Sequence, residues 1–159
     1  MSIKVPKGEG CITKPGSETL EAKHLGSALA ICISDPETGV SGITVPLLPG
    51  VGASKKADSG EWNMDVPSCL KKMFKELLDA GGKRENFRIW LVGAGRFMEE
   101  PKELALGVQL YAAAKKILQK NNMPIHAEHV GGSFDRSALL EAGSDVLKVI
   151  LSDGREVSI

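Results

Sequence analysis

The segment Leu25-Gly26-Ser27-Ala28 is the first place in the sequence where residue types and spacing could support chemistry. It leads directly into the apolar run 28–34, which is typical of a strand. A tight turn at the start of a strand exposes backbone N–H groups that can hold an oxyanion, and a nucleophile there would stand clear of the sheet. Ser27 or Ala28 occupies that place, and His24 lies three residues before Ser27. Nothing adjacent in sequence activates Ser27 in an obvious way.

Three further glycine segments could bind a ligand, but each has a simpler interpretation. Gly131-Gly132, followed by Arg136, comes after a predicted strand, and the plain alternative is a glycine turn beside a solvated arginine. Gly93-x-Gly95 lacks the third glycine of a dinucleotide site, and the acidic pair Glu99-Glu100 would repel phosphate. The segment 50–55 lacks the spacing of a phosphate-binding P-loop, which favours a mobile loop. No cofactor is therefore expected.

The cysteines and histidines do not form a metal-binding pattern. Cys11, Cys32 and Cys69 are an odd number with no C-x-x-C spacing, which argues against a disulfide framework or a zinc module. Cys32 and Cys69 fall on apolar patterns and are interpreted as small hydrophobic residues, whereas Cys11 is expected to be the most exposed. His126 and His129 are three residues apart on a predicted strand, so they should point to opposite faces. No metal site is expected.

Length and charge narrow the class of protein. The chain has 159 residues, which corresponds to one domain over residues 1–159. Its 20 basic and 20 acidic side chains cancel, so nothing indicates a nucleic-acid partner or an anionic membrane surface. No apolar run approaches the ~20 residues of a membrane span, and the N-terminus lacks the apolar centre of a signal peptide. These features predict a soluble, cytoplasmic protein without membrane insertion.

The elements that must position these residues are strands at both ends with two helices between them. Apolar runs and turn signals predict strands at 28–34, 42–48, 87–92, 125–130 and 146–151, the last of them central and followed by a hairpin turn at 152–154. Pro46 inside the second run predicts an edge strand or a bulge. The segment 49–64 has no periodicity and is predicted to be a long loop. This order is typical of an α/β protein in which a helical layer covers sheets.

Helical periodicity appears twice. Asp65 can cap a first helix that ends at Gly81-Gly82, with an apolar stripe made of Val66, Cys69, Leu70, Met73, Phe74, Leu77 and Leu78. A second helix is predicted to begin near Pro101 and to end before Pro124. Its expected apolar face comprises Leu104, Val108, Tyr111, Ala112, Lys115 and Leu118.

Five segments, in order and at matching spacing, resemble the CheD family of chemoreceptor glutamine deamidases. They read VPKGEG at 5–10, EAKHLGSALAICISDP at 21–36, SGITVPLLP at 41–49, IWLVGAGRFM at 89–98 and EHVGGSFDR at 128–136. The corresponding family patterns are V-G-x-G-E, T-x-G-L-G-S-C-V-A-V-C-x-x-D-P, G-G-x-x-H-x-x-L-P, A-x-x-G-G-A-x-M-F and E-D-x-G-G-x-x-x-R. The resemblance covers about Val5 to Leu151 and implies a three-layer α/β/β single domain with two main helices.

The resemblance also implies a reaction and the residues that would perform it. CheD-like proteins hydrolyse a receptor glutamine to glutamate with a Cys-His-Thr triad, in which a thiolate attacks the carboxamide carbon. The triad cysteine falls on Ala28, the histidine on Val45 and the threonine on Ala22. A single Cys→Ala change could be engineered, but three losses are better explained by a lineage that no longer performs the reaction.

Three functional hypotheses remain open. The first is a catalytically degenerate CheD-like protein that binds a helical chemoreceptor segment or a CheC-type phosphatase through Gly26, Ser27, Ala28, Gly131, Gly132 and Arg136. The second is a deamidase that retains activity through a replacement nucleophile, either Ser27 with His24 or Cys11. The third is a relative in fold that binds an unrelated ligand.

Overall fold

The computed structural model describes residues 2–16, 18–50, 62, 65–97, 101 and 105–159. The strands in these residues are β1 (Ser2–Lys4), β2 (Gly10–Thr13), β3 (Thr19–Ala22), β4 (Leu29–Ser34), β5 (Ser41–Thr44), β6 (Arg88–Gly93), β7 (Ala127–Val130), β8 (Arg136–Leu140), β9 (Lys148–Leu151) and β10 (Glu156–Ser158). The helices are α1 (Val66–Asp79) and α2 (Leu106–Lys120), with a short 3₁₀ turn at Arg84–Asn86. Most of the predicted loop 49–64 lies outside the described residues.

Two five-stranded sheets and a helical layer make up the described part of the fold. We call the sheet β2-β5-β4-β6-β7 the central sheet and the sheet β1-β3-β8-β9-β10 the outer sheet. The helix α1 contacts β2 and β5, and α2 contacts β4, so both helices cover the central sheet. The predicted three-layer α/β/β arrangement with two main helices is confirmed.

The central sheet separates two hydrophobic cores, one on each of its faces. Successive side chains of a strand point to opposite faces. In β4, Ala30 and Cys32 face the outer sheet in the inter-sheet core, whereas Leu29, Ile31 and Ile33 face the helices in the helix-side core. All five side chains are fully buried. The near-continuous apolar run that predicted this strand therefore reflects a strand that is covered on both faces.

The helix α1 forms as its sequence predicts. The Asp65 carboxylate accepts a hydrogen bond of 2.8 Å from the N–H of Ser68, which caps the helix. Gly81 has φ of +102°, a conformation that suits glycine just beyond a helix end. Most of the predicted apolar stripe is buried, whereas Leu78, its last residue, is 48% exposed.

Two details of the other elements also differ from the prediction. The strand β5 is not an edge strand, since it lies between β2 and β4. This internal position is possible because the strand ends at Thr44, so Pro46 lies outside the hydrogen-bonded ladder. The buried face of α2 consists of Gly107, Leu110, Ala114 and Leu118, whereas Ala112 is exposed. A Cβ on Gly107 would lie 2.6 Å from the carbonyl carbon of Ala94, so this glycine allows the helix to approach the main chain after β6 closely. Leu104 lies outside the described residues.

The elements after α2 agree with their predicted order. The strand β7 pairs in parallel with β6, and β9 lies inside the outer sheet between β8 and β10, as its apolar faces predict. The turn at 152–154 joins β9 to β10. Among the described residues, no helix combines the length and apolar character needed to cross a membrane.

Candidate functional site

The candidate site lies at the ends of three neighbouring strands of the central sheet, where β4 begins and where β6 and β7 end. Gly93, the last residue of β6, pairs with Leu29 of β4 on one side and with Val130 of β7 on the other. The segments that continue from these three strands therefore meet at the same edge. They are residues 25–28, 93–97 and 131–136.

One side of the turn before β4 is held by backbone hydrogen bonds. The N–H of Ala28 donates to the carbonyl of Leu25 at 2.8 Å, which closes a β-turn. Gly26 has φ of +56°, a left-handed conformation that glycine adopts without strain. The carbonyls of Gly26 and Ala28 accept from the N–H groups of Gly95 and Ala94 at 2.9 and 2.8 Å. The turn is thus fastened to the end of β6 by main-chain groups.

The Asp135 carboxylate fastens the other side of this turn. Its Oδ1 accepts from the N–H of Gly26 at 2.7 Å and from the N–H of Arg136 at 2.8 Å. Its Oδ2 lies 3.1 Å from Nδ1 of His24. Burial raises the pKa of the Asp135 carboxyl, but the hydrogen bonds that it accepts outweigh burial, so this pKa lies below its usual value. Asp135 is therefore a carboxylate that ties two chain segments together.

The side chain of Arg136 joins the ends of two parallel strands. Its guanidinium donates to the carbonyls of Gly93 and Gly131 and, at 3.1 Å, to that of His129. The group also lies 4.3 Å from the centre of the Phe134 ring. Arg136 is only 2% exposed, and burial lowers the pKa of its guanidinium despite the opposing charge of Asp135. The alternative of a solvated arginine is therefore wrong.

The two glycines after β7 complete this edge. Gly131 and Gly132 have φ of +82° and +73°, conformations that other residues rarely adopt. The N–H of Gly131 donates to the carbonyl of Gly93 at 3.0 Å, and the carbonyl of Gly132 accepts from the N–H of Arg96 at 2.8 Å. All six residues predicted to bind a partner thus lie on two segments, 25–28 and 131–136, which both contact the third segment, 93–97. We call Gly26, Gly131, Gly132, Asp135 and Arg136 the rim.

The three positions of the implied triad lie in the inter-sheet core. Ala22, Ala28 and Val45 are 1%, 4% and 0% exposed, and they belong to one hydrophobic cluster. None of these side chains carries a nucleophile, a base or a hydroxyl group. We call these three residues the floor, because Ala28 belongs both to this cluster and to the turn at the rim.

The residues that could replace the missing nucleophile and base differ in their surroundings. Ser27 is half-buried on the turn, and His24 has a side chain that is 82% exposed and held by Asp135. The Cys11 thiol is half-buried on β2, where burial and the nearby charge of Glu76 raise its pKa. A raised pKa keeps Cys11 as the poorly nucleophilic thiol at neutral pH. The structure therefore places His24, held by Asp135, three residues before Ser27, whereas the surroundings of Cys11 disfavour its thiolate.

Sequence reasoning missed Asp135 and Phe97. The ring of Phe97 lies over the backbone of Gly95, where a Cβ would be 2.8 Å from it, and it remains 49% exposed. Asp135 could have been considered because an acidic residue after a glycine turn often accepts backbone hydrogen bonds. The identity of its partner, 109 residues away at Gly26, has no signal in the sequence.

The remaining histidines and cysteines have different neighbours. His126 lies against Arg88 and the edge of Trp90, whereas His129 lies against Phe134. Cys32 and Cys69 are fully buried, as their apolar patterns predict. In the described ranges, no group of three or more His, Cys, Asp and Glu side chains is arranged to hold a metal ion.

Comparison with known proteins identifies relatives over most of the chain. The family model for CheD, described as chemotactic sensory transduction, matches residues 47–149. A probable chemoreceptor glutamine deamidase CheD from Saccharophagus degradans is 25% identical, with 94% of this chain and 69% of the relative covered. A protein of the same description from Bordetella avium is 27% identical, with coverages of 85% and 58%. One from Natronomonas pharaonis is 25% identical, with coverages of 99% and 92%. The family match begins after Ala22, Ala28 and Val45, so these positions are assigned by the resemblance of the quoted segments.

Proposed function

This chain belongs to the CheD family, and from that membership we propose that it is a chemotaxis protein that binds without deamidating. Its partner is a helical chemoreceptor segment or a CheC-type phosphatase, recognised at Ser27 and at the rim, whose shape the buried Arg136 maintains. The relatives are described as probable chemoreceptor glutamine deamidases, which supports a chemoreceptor as the target.

The chemical character of the floor carries this proposal. Deamidation requires a nucleophile to attack the carboxamide carbon, a base to take the proton and donors for the oxyanion. Ala28, Val45 and Ala22 stand where the family resemblance places the nucleophile, the base and its orienting group. Their side chains are apolar and buried, so they cannot form a thioester or shuttle a proton.

The contacts that hold the rim do not depend on catalytic side chains, so a partner can bind there when the reaction is absent. Its geometry depends on backbone hydrogen bonds, on the Asp135 carboxylate and on the Arg136 guanidinium. None of these contacts involves a side chain of the floor. Replacement of the catalytic groups therefore leaves the surface that a partner would contact in place.

One observation favours a second function, amide hydrolysis by Ser27. The Asp135 carboxylate holds Nδ1 of His24, which leaves Nε2 of the same ring to act as a base. In that reaction Ser27 Oγ would attack the carboxamide carbon, its proton would pass to His24, and ammonia would leave with that proton. Water would then hydrolyse the ester to give glutamate.

The two functions are separated by incubating the protein with glutamine-containing chemoreceptor helices. Conversion of glutamine to glutamate is followed by the mass increase of about 1 Da on that residue and by release of ammonia. Binding is followed by calorimetry in the same samples. Binding without conversion supports the proposal, whereas conversion that is lost in Ser27→Ala establishes the second function and overturns the first.

The location of binding is tested by placing a bulky side chain on the turn. Ser27→Arg should abolish binding because Ser27 is half-buried at the centre of the proposed contact. Ser158→Arg is the matched control, since Ser158 is exposed on β10 at the far edge of the outer sheet. Equal loss in both variants, or loss in neither, would contradict recognition at the rim.

A further inference from the structure

A groove of about 500 Å³ lies on the helical layer, away from the rim. One wall is the face of α1 from Pro67 to Leu78. The other is formed by the end of α2, Arg84 of the 3₁₀ turn, Phe87 and Met123. No rim or floor residue lines it. A surface so placed has no part in the proposed recognition at the turn before β4.

The bottom of this groove is apolar. Phe74 and Phe87 stack with their ring centres 6.2 Å apart, and Ile117 from α2 lies beside them, half-buried. Leu78 stands at one side with 48% of its surface exposed. The exposed leucine and the half-buried aromatic rings line one groove, so an apolar side chain of a partner can pack against them.

The charges around this apolar surface have one sign. Lys71, Arg84 and Lys120 line the groove, and no carboxylate does so among the described residues. Arg84 already donates to the carbonyl of Asn121, whereas Lys71 and Lys120 are exposed. The helix α2 has three lysines and no acidic residue in a chain whose net charge is zero, so the positive charge is concentrated locally.

We propose that this groove binds an amphipathic helix of a partner protein, with an apolar stripe against Phe74, Leu78 and Ile117 and acidic residues beside Lys71 and Lys120. The α1 wall from Pro67 to Leu78 is about 16 Å long at 1.5 Å per residue, which matches three turns of helix. Helices with anchors at i, i+3, i+4 and i+7 bind apolar grooves of this kind. Acidic flanks complement the lysines and select against basic helices.

The probe is a designed, fluorescein-labelled helical peptide of about 14 residues with leucines on one stripe and glutamates beside it. A second peptide carries lysine in place of every glutamate, and a third has the leucines dispersed around the helix. Fluorescence anisotropy with the full chain should show binding of the first peptide, with an affinity that falls as salt rises. Equal binding of all three peptides, or no binding of the first, would overturn the proposal.

Charge reversal tests the role of the two lysines. The pair Lys71→Glu and Lys120→Glu should weaken binding roughly tenfold, as expected for the loss of two exposed charge pairs and their replacement by repulsion. Lys75→Glu with Lys116→Glu is the matched control, since both lysines are exposed on the same two helices but do not line the groove. If the control weakens binding as much as the groove pair, the charge of the helical layer acts without a defined site and the proposal fails.

The apolar contact has its own variant. Leu78→Asp should reduce binding of the acidic peptide by about tenfold or more with only a small decrease in melting temperature, because 48% of this residue is exposed. In the same experiment, Ser27→Arg should leave this peptide bound. Loss of binding in Ser27→Arg, or full binding in Leu78→Asp, would place the peptide elsewhere. Failure of chemoreceptor helices to bind at the rim would not affect this result.

Discussion

The rim and the floor meet at Ala28, yet they are held together by different forces. The floor is stabilised by burial of apolar side chains, and all three of its residues are at most 4% exposed. The rim is held by hydrogen bonds, in which the Asp135 carboxylate accepts and the Arg136 guanidinium donates across three chain segments. A buried polar group without a partner would destabilise a floor of this kind by about 1–3 kcal/mol.

Under the proposed function, this difference allows the fold to lose the reaction and to keep the binding surface. In the rim, the hydrogen-bond partners of the Asp135 carboxylate and of the two terminal nitrogens of Arg136 do not belong to the floor, so exchange of the floor residues leaves these contacts in place. In the floor, catalytic side chains that no longer act would be unpaired polar groups in an apolar cluster. If the chain binds without deamidating, as we propose, alanine and valine are therefore the physically favourable residues at these positions.

The largest expected effect comes from removing the central donor of the rim. Arg136→Ala should lower the free energy of unfolding by about 3–4 kcal/mol, because three carbonyls lose their donor and a cavity forms. Urea denaturation measures the loss. Arg155→Ala, which removes an exposed arginine paired with Asp153, should change stability by less than about 0.5 kcal/mol. Comparable losses in the two variants would show that Arg136 does not organise the rim.

The floor is tested by adding a polar atom without changing shape. Val45→Thr should lower the free energy of unfolding by about 2 kcal/mol, since it places a hydroxyl in the inter-sheet core. Val146→Thr is the matched control, because Val146 is 46% exposed and the new hydroxyl would reach water. Thermal and urea unfolding should separate the two variants clearly. If Val45→Thr were tolerated as well as Val146→Thr, the floor would not be the apolar layer described above.

The acid sensitivity of the rim should depend on Asp135. Its folded pKa is depressed below the unfolded value of about 3.9, so the carboxylate stabilises the fold above that pH and this contribution disappears as the pH falls through the folded pKa. Asp135→Asn should therefore be less stable by about 1–2 kcal/mol at pH 7, with a difference that narrows below about pH 4. Urea unfolding across this pH range measures it, with the exposed Asp145→Asn as control. A difference that stays constant with pH would contradict the role of the charge.

The elements that could be predicted from local sequence are those with a long or strongly periodic pattern of apolar residues or with clear turn residues. The capped helix α1, the buried strands β4 and β6 and the hairpin of β9 and β10 were all predicted, because apolar periodicity and turn residues act over neighbouring positions. The strands β1, β2, β3 and β8 were not predicted. They have three to five residues each and depend on pairing with distant segments, as β3 does with β8.

The candidate site shows the same limit at the level of single residues. The glycines of the rim could be identified because turn conformations select glycine locally. The burial of Arg136 and the role of Asp135 could not, because both depend on carbonyl and N–H groups that only the folded sheet edge brings near them. Whether the six predicted residues bind a partner stays a prediction.

The smallest expected effect concerns the backbone of the rim alone. Gly26→Ala should lower the free energy of unfolding by about 1 kcal/mol, because a Cβ disfavours the φ of +56° that the turn requires. Space is not the cause, since the nearest side-chain atom to that Cβ would be in the Phe97 ring at 4.0 Å. Gly50→Ala is the control, with open space around it and no left-handed φ. Gly26→Ala changes no polar partner. If receptor binding therefore falls by more than the loss of stability explains, the partner recognises the conformation of the turn. Unchanged binding would instead place recognition on the Gly131–Arg136 side of the rim.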